Sequence, residues 1–130
     1  MKKRDIENME DVKLMVNEFY NKVKENSLLA PIFYEKIKDN WQPHLERMYL
    51  FWGAALLGEK GYIGNPFSKH AALQITEKHF QQWLLLFKQT INNFFEGALA
   101  EDAKWRAGIM ADNFLRRLND NKNNNHITVV

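Results

Sequence analysis

Two histidines stand in aromatic surroundings that could hold a flat, metal-containing ligand. His44 lies three residues after Trp41, one helical turn before Met48 and two turns before Phe51, whereas His70 follows a loop rich in glycine and proline. Two imidazoles on opposite sides of an apolar slot suit an iron porphyrin, with one as the permanent axial ligand and one on the ligand-binding side. The alternative is that both histidines are ordinary members of a helical core.

Helical periodicity predicts the elements that would position these residues. Apolar side chains recur at steps of three and four over about 9–26, from Asn40 to Gly58, between Thr76 and Gly97, and over about 101–118. A short helix around 68–74 would carry His70, after a turn-rich loop at 58–66. The pattern predicts one all-α domain at 1–118. The segment 119–130 contains five asparagines and is expected to be a disordered tail.

Two further features mark the ends of the predicted helices. Asn8 can cap the first helix, and Pro31 prevents that helix from continuing. Pro43 would lie in the first turn of the second long helix, where its missing backbone donor costs little. The sequence therefore predicts four main helices and one short helix.

The composition excludes several classes of function. The 130 residues carry 18 basic and 16 acidic side chains without a basic stripe, so nucleic-acid binding is not expected. There is no cysteine, which excludes disulfides, thiolate metal sites and covalent attachment of haem. No apolar run approaches the roughly 20 residues of a membrane span, and acidic residues stand where a signal peptide would be apolar. We expect a cytoplasmic protein with no membrane partner.

An ordered series of residues across most of the chain resembles the truncated haemoglobins, most closely their third group. From about Leu14 to Phe114 the series comprises Phe19-Tyr20, Pro31-Ile32-Phe33, Trp41-x-x-His44, Phe51-Trp52, Leu57-Gly58, Tyr62-x-Gly64-x-Pro66 with His70, and His79-Phe80-x-x-Trp83. The resemblance implies a globin-like fold, the truncated two-over-two helical sandwich. It also implies haem b, with its iron, bound without covalent bonds.

The resemblance assigns His70 as the proximal ligand of the haem iron and places Tyr20, His44 and Trp83 on the distal side. Each unsatisfied buried polar atom costs about 1–3 kcal/mol, so three such groups favour a polar ligand among them. We predict that Tyr20 and Trp83 are the main stabilisers of bound dioxygen. For His44 three roles remain open: a donor to the ligand, a gate that swings towards solvent, or a second ligand of the iron.

Other residues are expected to contact the porphyrin itself. Phe33 matches the haem-packing phenylalanine of the family, Met48 falls one turn beyond the distal histidine, and Phe80 lies on the apolar stripe before Trp83. Arg47 and Lys69 are candidates for binding the haem propionates, because each lies close in sequence to one of the two histidines. An ordinary solvated side chain is the alternative for both.

The predicted function is binding of dioxygen and other diatomic gases, NO and CO. Tight polar trapping of dioxygen opposes simple transport and favours chemistry on the ligand, such as nitric oxide oxidation to nitrate, or peroxidase-like activity. The 130 residues leave no room for a reductase domain, so turnover would need an external, unknown reductase. The alternatives are oxygen storage, delivery or sensing without turnover, and a haem-free helical interaction domain.

Overall fold

The computed structural model describes residues 3–60 and 76–123, with side chains up to residue 117. Five helices occupy these ranges: α1 (Met9–Glu25), α2 (Ala30–Ile37), α3 (Trp41–Leu57), α4 (Glu77–Phe94) and α5 (Ala98–Asn123). The described ranges contain no strand. The prediction of an all-α chain is therefore confirmed.

The two ends of α1 are set by asparagine side chains. The Asn8 side chain accepts a hydrogen bond from the backbone N–H of Asp11 at 3.0 Å, as predicted for an N-terminal cap. After the last turn, the Asn26 side-chain oxygen accepts from the backbone N–H groups of Leu28 and Leu29, both at 3.0 Å. This turn leads the chain directly from α1 into the next helix.

Helix α2 corrects the prediction, which took Pro31 only as a barrier to the preceding helix. Pro31 lies instead in the first turn of a new helix. Backbone N–H groups in a first turn have no helical acceptor, so a proline there loses nothing and its fixed φ favours helix formation. The helix buries Phe33 and Ile37. It therefore contributes a phenylalanine to the core that the sequence had placed in no element.

Helices α3 and α4 begin and end close to the predicted positions. Pro43 lies in the first turn of α3, and Gly58 ends that helix with a left-handed φ of 71°. Thr76 precedes α4, and its backbone N–H donates to Nδ1 of His79 at 3.0 Å, which forms a capping box with histidine in the third position. The expected short helix at 68–74 lies outside the described residues.

Helix α5 starts at Ala98, about three residues before its predicted start, because a distant carboxylate caps it. The Asp5 side chain accepts from the backbone N–H of Leu99 at 2.9 Å and of Ala100 at 2.8 Å. The helix continues through Asn123, so the first five residues of the segment expected to be a tail extend it. Residues 124–130 lie outside the described part of the chain.

The helices form two packed pairs with an aromatic centre. Helix α1 packs against α3, α4 packs against α5, and α1 also contacts α4 across the two pairs. Phe87 stacks between Trp52 and Trp83, with ring centroids 4.9 and 5.9 Å away, and Phe19 meets it edge-on at 5.4 Å. Large rings from three helices therefore fix the spacing between the pairs.

Within the described ranges, no helix combines the length and apolar character needed to cross a lipid bilayer.

Candidate functional site

The polar centre of the site is a hydrogen bond between helices α1 and α3. The Tyr20 hydroxyl lies 3.0 Å from Nε2 of His44. Tyr20 is only 6% exposed, and this burial raises the pKa of its hydroxyl well above the ordinary value. The phenol therefore keeps its proton at physiological pH and remains a hydrogen-bond donor.

The direction of this hydrogen bond depends on the tautomer of His44. If Nε2 of His44 carries the proton, it donates to the Tyr20 oxygen, and the phenolic proton is available to a third group. If Nε2 is unprotonated, the Tyr20 hydroxyl donates to it instead. Depending on the tautomer, the Tyr20 hydroxyl can thus donate either to His44 or to another group.

Aromatic rings surround this pair. The Tyr20 ring meets Phe19 at a centroid distance of 5.0 Å, Phe33 at 6.0 Å and Trp41 at 6.2 Å, all edge to face. The His44 ring lies 5.1 Å from the Tyr20 ring, also edge to face. These contacts fix the orientation of the phenol, so its hydroxyl direction is set by packing rather than by solvent.

A narrow apolar cleft borders Tyr20. It brings together Tyr20 of α1, Met48 of α3 and Trp83 of α4, three residues that the sequence assigned to one site. The full lining is Val16, Phe19, Tyr20, Met48, Phe51, Trp52, Trp83, Phe87 and Met110. The lining side chains that carry an N–H or O–H donor are Tyr20, Trp52 and Trp83, and the other lining side chains are apolar.

A second apolar cleft is also lined by Trp83. Phe33 of α2 and Phe80 of α4, both expected at the porphyrin, line it together with Trp83. Its remaining lining residues are Leu29, Ile32, His79 and Phe114. The structure therefore gathers six predicted residues into one region around Trp83, namely Tyr20, Phe33, His44, Met48, Phe80 and Trp83.

Three predicted site residues are not placed in this region. Arg47 is exposed on α3, so the structure assigns it no particular partner at the clefts. Lys69 and His70 lie outside the described residues. In the part of the chain that the structure describes, no group of three histidine, cysteine, aspartate or glutamate side chains could hold a metal ion directly.

Sequence reasoning missed the contributions of Trp41 and His79. Trp41 packs against Tyr20, and its indole nitrogen is buried with no hydrogen-bond partner among the described residues. His79 is half-buried, lines the second cleft and caps α4. The stripe of α3 passes through Trp41 and could have indicated its role, but no local signal revealed that of His79.

The donor set and the lining fit a haem group. A porphyrin is a large, flat and mainly apolar ring, and the two clefts offer phenylalanine, tryptophan and methionine side chains from five helices. Tyr20 and Trp83 bring a hydroxyl and an indole N–H to this lining, and Tyr20 is buried whereas Trp83 is partly buried. This combination of an apolar lining with few donors is what a gas-binding haem site requires.

Comparison with known proteins matches nearly the whole chain to globins. The family model described as bacterial-like globin matches residues 5–121. The group 3 truncated haemoglobin ctb of Campylobacter jejuni subsp. jejuni serotype O:2 is 31% identical over 115 residues, which cover 85% of this chain and 91% of that protein. The crystal structure of the group III truncated haemoglobin from Campylobacter jejuni superposes with a TM-score of 0.82 at 31% identity and covers 91% of this chain and 95% of its own.

Proposed function

Since the chain belongs to the bacterial-like globin family, as a truncated haemoglobin of the third group, we propose that it binds dioxygen, NO and CO between Tyr20 and Trp83. The chain is a haem protein that binds small ligands at iron, and with no cysteine it holds haem b without covalent attachment. When bound, haem supplies the iron at which diatomic gases are held.

The observation that carries this proposal is the shared cleft of Tyr20 and Trp83. Tyr20 keeps its phenolic proton because burial raises its pKa, and Trp83 brings an indole N–H from the facing helix. Dioxygen held at iron carries partial negative charge, which both donors can stabilise. A charge-assisted hydrogen bond contributes about 1.5–3 kcal/mol, enough to slow the release of dioxygen strongly.

The Tyr20–His44 hydrogen bond favours an indirect role for His44, which acts on the ligand through Tyr20. In this proposal, Nε2 of His44 carries the proton and donates to the Tyr20 oxygen at 3.0 Å. The phenolic proton then points to the ligand, because it is not used for His44. His44 thereby orients Tyr20, and its direct ligation of iron is the less favoured of its predicted roles.

The remaining assignments follow from the family resemblance and from packing. His70 is the proposed proximal ligand of the iron, although it lies outside the described residues. Phe33, Met48 and Phe80 would pack on the porphyrin, which their places in the two clefts support. The sequence positions of Arg47 and Lys69 make them candidates for the propionates, and this role for both stays a prediction.

Retention of dioxygen by two donors favours chemistry on the ligand over rapid delivery. The proposed reaction is oxidation of nitric oxide by held dioxygen to nitrate, which leaves the iron oxidised by one electron. Each turnover then needs one electron from an external reductase, whose identity the chain does not indicate. In this proposal Tyr20 and Trp83 hold the dioxygen in place, with Tyr20 oriented by His44, while nitric oxide enters the apolar cleft.

The proposal is tested on the haem-loaded full chain. We expect the absorption bands of the ferrous protein to shift on addition of carbon monoxide and of dioxygen, and nitrate to form in equal amount when nitric oxide meets the oxygenated protein. Spectra that do not respond to either gas would contradict gas binding. Loss of dioxygen without formation of nitrate would leave gas binding intact and contradict nitric oxide oxidation.

A further inference from the structure

Three aromatic rings form a continuous path from the buried cleft to the protein surface. The rings of Tyr20 and Trp41 lie 6.2 Å apart between centroids, and those of Trp41 and Tyr34 lie 5.2 Å apart, both edge to face. Tyr20 is 6% exposed, whereas Tyr34 is 46% exposed. Electron tunnelling falls steeply with distance, so rings in contact are the favoured route for single electrons through a protein.

Both ends of this path can release the proton that oxidation of a tyrosine sets free. A phenol that loses an electron also loses its proton, so it needs an acceptor nearby. In the other tautomer of His44, not the one proposed above for dioxygen binding, Nε2 is unprotonated and can take this proton from Tyr20 at 3.0 Å. Tyr34 is exposed and can give its proton to water. Proton and electron can therefore move together at each terminus.

Trp41, which lies between the two tyrosines, has among the described residues no hydrogen-bond partner that could accept its proton. Its indole nitrogen is buried without a hydrogen-bond partner in the described ranges, so the oxidised ring keeps its proton and stays positively charged. The ammonium group of Lys24 lies 4.5 Å from the ring centroid and repels such a charge. Trp41 is thus suited to passing an electron and unsuited to retaining the radical, which would settle on Tyr34.

We propose that Tyr34 is a surface site where phenolic reductants deliver electrons, through Trp41 and Tyr20, to hydrogen peroxide reduced in the haem pocket. This inference rests on the proposed function because it requires haem to be bound beside Tyr20. It extends the peroxidase-like activity expected from the sequence to phenols too bulky to enter the cleft. It also identifies the place on the chain where electrons enter.

The electrons and protons of this reaction balance in two equal steps. In each step Tyr34 loses one electron to Trp41 and its phenolic proton to water, and a phenolic reductant then returns one electron and one proton. Two steps supply the two electrons with which one hydrogen peroxide and two protons become two waters. The reductant leaves as two phenoxyl radicals, so the only oxidant required is the peroxide.

The experiment uses the haem-loaded full chain and a phenol attached to dextran, a polymer too large to enter the cleft beside Tyr20. Tyr34→Phe should lower the rate of dextran-phenol oxidation about tenfold, while the rate of the first reaction with peroxide stays unchanged. Phenylalanine keeps the ring contact with Trp41, and Tyr34 is half-exposed, so folding should be preserved. Tyr49→Phe, which changes a tyrosine with no described ring contact to the path, is the matched control.

A second readout locates the radical independently of turnover. Without reductant, peroxide should give a tyrosyl signal by electron paramagnetic resonance and covalent dimers joined at Tyr34 by mass spectrometry. Trp41→Phe should diminish both, whereas Trp105→Phe, at a tryptophan 64% exposed on α5, should not. Unchanged oxidation in Tyr34→Phe, or dimers joined at other tyrosines, would overturn the inference. If gases still bind in that case, only the relay has failed, and the proposed function stands.

Discussion

Two polar clusters in this molecule contain buried side chains, but they differ in how many of their hydrogen-bonding groups have a partner. At the amino terminus, the buried Asp11 carboxylate accepts from the Arg4 guanidinium and from the backbone N–H of Glu7, at 2.7 and 2.9 Å. In the cleft, the Tyr20 hydroxyl has one described partner, His44. In the first cluster the hydrogen bonds of the carboxylate are made within the protein, whereas in the second the Tyr20 hydroxyl can still donate to a ligand.

This difference distinguishes the polar groups that stabilise the fold from those that can bind a ligand. Asp5 extends the first cluster, because its carboxylate accepts from the backbone N–H of Ile6 and of two residues at the start of α5. A fully paired carboxylate stabilises the protein and has no capacity left for another molecule. An incompletely paired hydroxyl in an apolar cleft stabilises the fold less and can bind a ligand.

The largest expected effect is on stability at the paired cluster. Asp11→Asn removes a charged acceptor whose side chain is only 6% exposed, and we expect the free energy of unfolding to fall by about 2 kcal/mol. Urea denaturation measures this. Asp112→Asn, which removes an ion pair from a carboxylate with 54% exposure, is the control and should cost less than about 0.5 kcal/mol. Equal losses in the two variants would contradict the comparison.

Acid should weaken the same cluster by a smaller amount. The pKa of Asp11 is held below its ordinary value mainly by its hydrogen bond with Arg4, and the pKa of Asp5 is lowered by backbone N–H donors, which outweigh the cost of burial. The unfolded chain then binds more protons than the folded one, so stability is full above the unfolded pKa of about 3.9 and is lost as pH falls through the folded values.

Urea titrations across this range measure the acid effect. The free energy of unfolding should decline below about pH 4, and the decline should be shallower in Asp11→Asn because that variant has one titrating carboxylate fewer. The same slope in both proteins would show that Asp11 does not contribute to the acid sensitivity.

The smallest stability effect is expected at the binding cluster. Tyr20→Phe removes one hydrogen bond with half-buried His44, so the free energy of unfolding should change by no more than about 1 kcal/mol. A loss as large as that of Asp11→Asn would show that Tyr20 serves the fold. The urea midpoint of the haem-free protein is the suitable measurement, because bound haem would add its own stabilisation.

Local sequence signals predicted the helix ends that depend on neighbouring residues. The Asn8 cap and the left-handed Gly58 act within one turn, so periodicity and residue type were sufficient. Pro31 was ambiguous, since a proline both ends one helix and favours the start of another, and α2 was missed. The start of α5 depends on Asp5, more than 90 residues earlier in the chain, and no local pattern can reveal such a contact.

The sequence predicted residues of the site but not the contacts between them. Periodicity put His44 on an inward helix face, but the partnership of Tyr20 with Trp83 came from the family resemblance. The 3.0 Å bond between Tyr20 and His44 joins residues 24 positions apart, and its length depends on how α1 packs on α3. The aromatic path through Trp41 likewise arises from packing between helices, which sequence spacing does not specify.

The dissociation rate of dioxygen from the ferrous, haem-loaded protein tests the central claim most directly. Tyr20→Phe should release dioxygen at least tenfold faster than the unchanged chain, because about 1.4 kcal/mol of ligand stabilisation corresponds to tenfold in affinity. Tyr34→Phe, at an exposed tyrosine that lines neither cleft, should release it at the unchanged rate. An unchanged dissociation rate in Tyr20→Phe would contradict the proposal that the incompletely paired hydroxyl of Tyr20 holds the ligand.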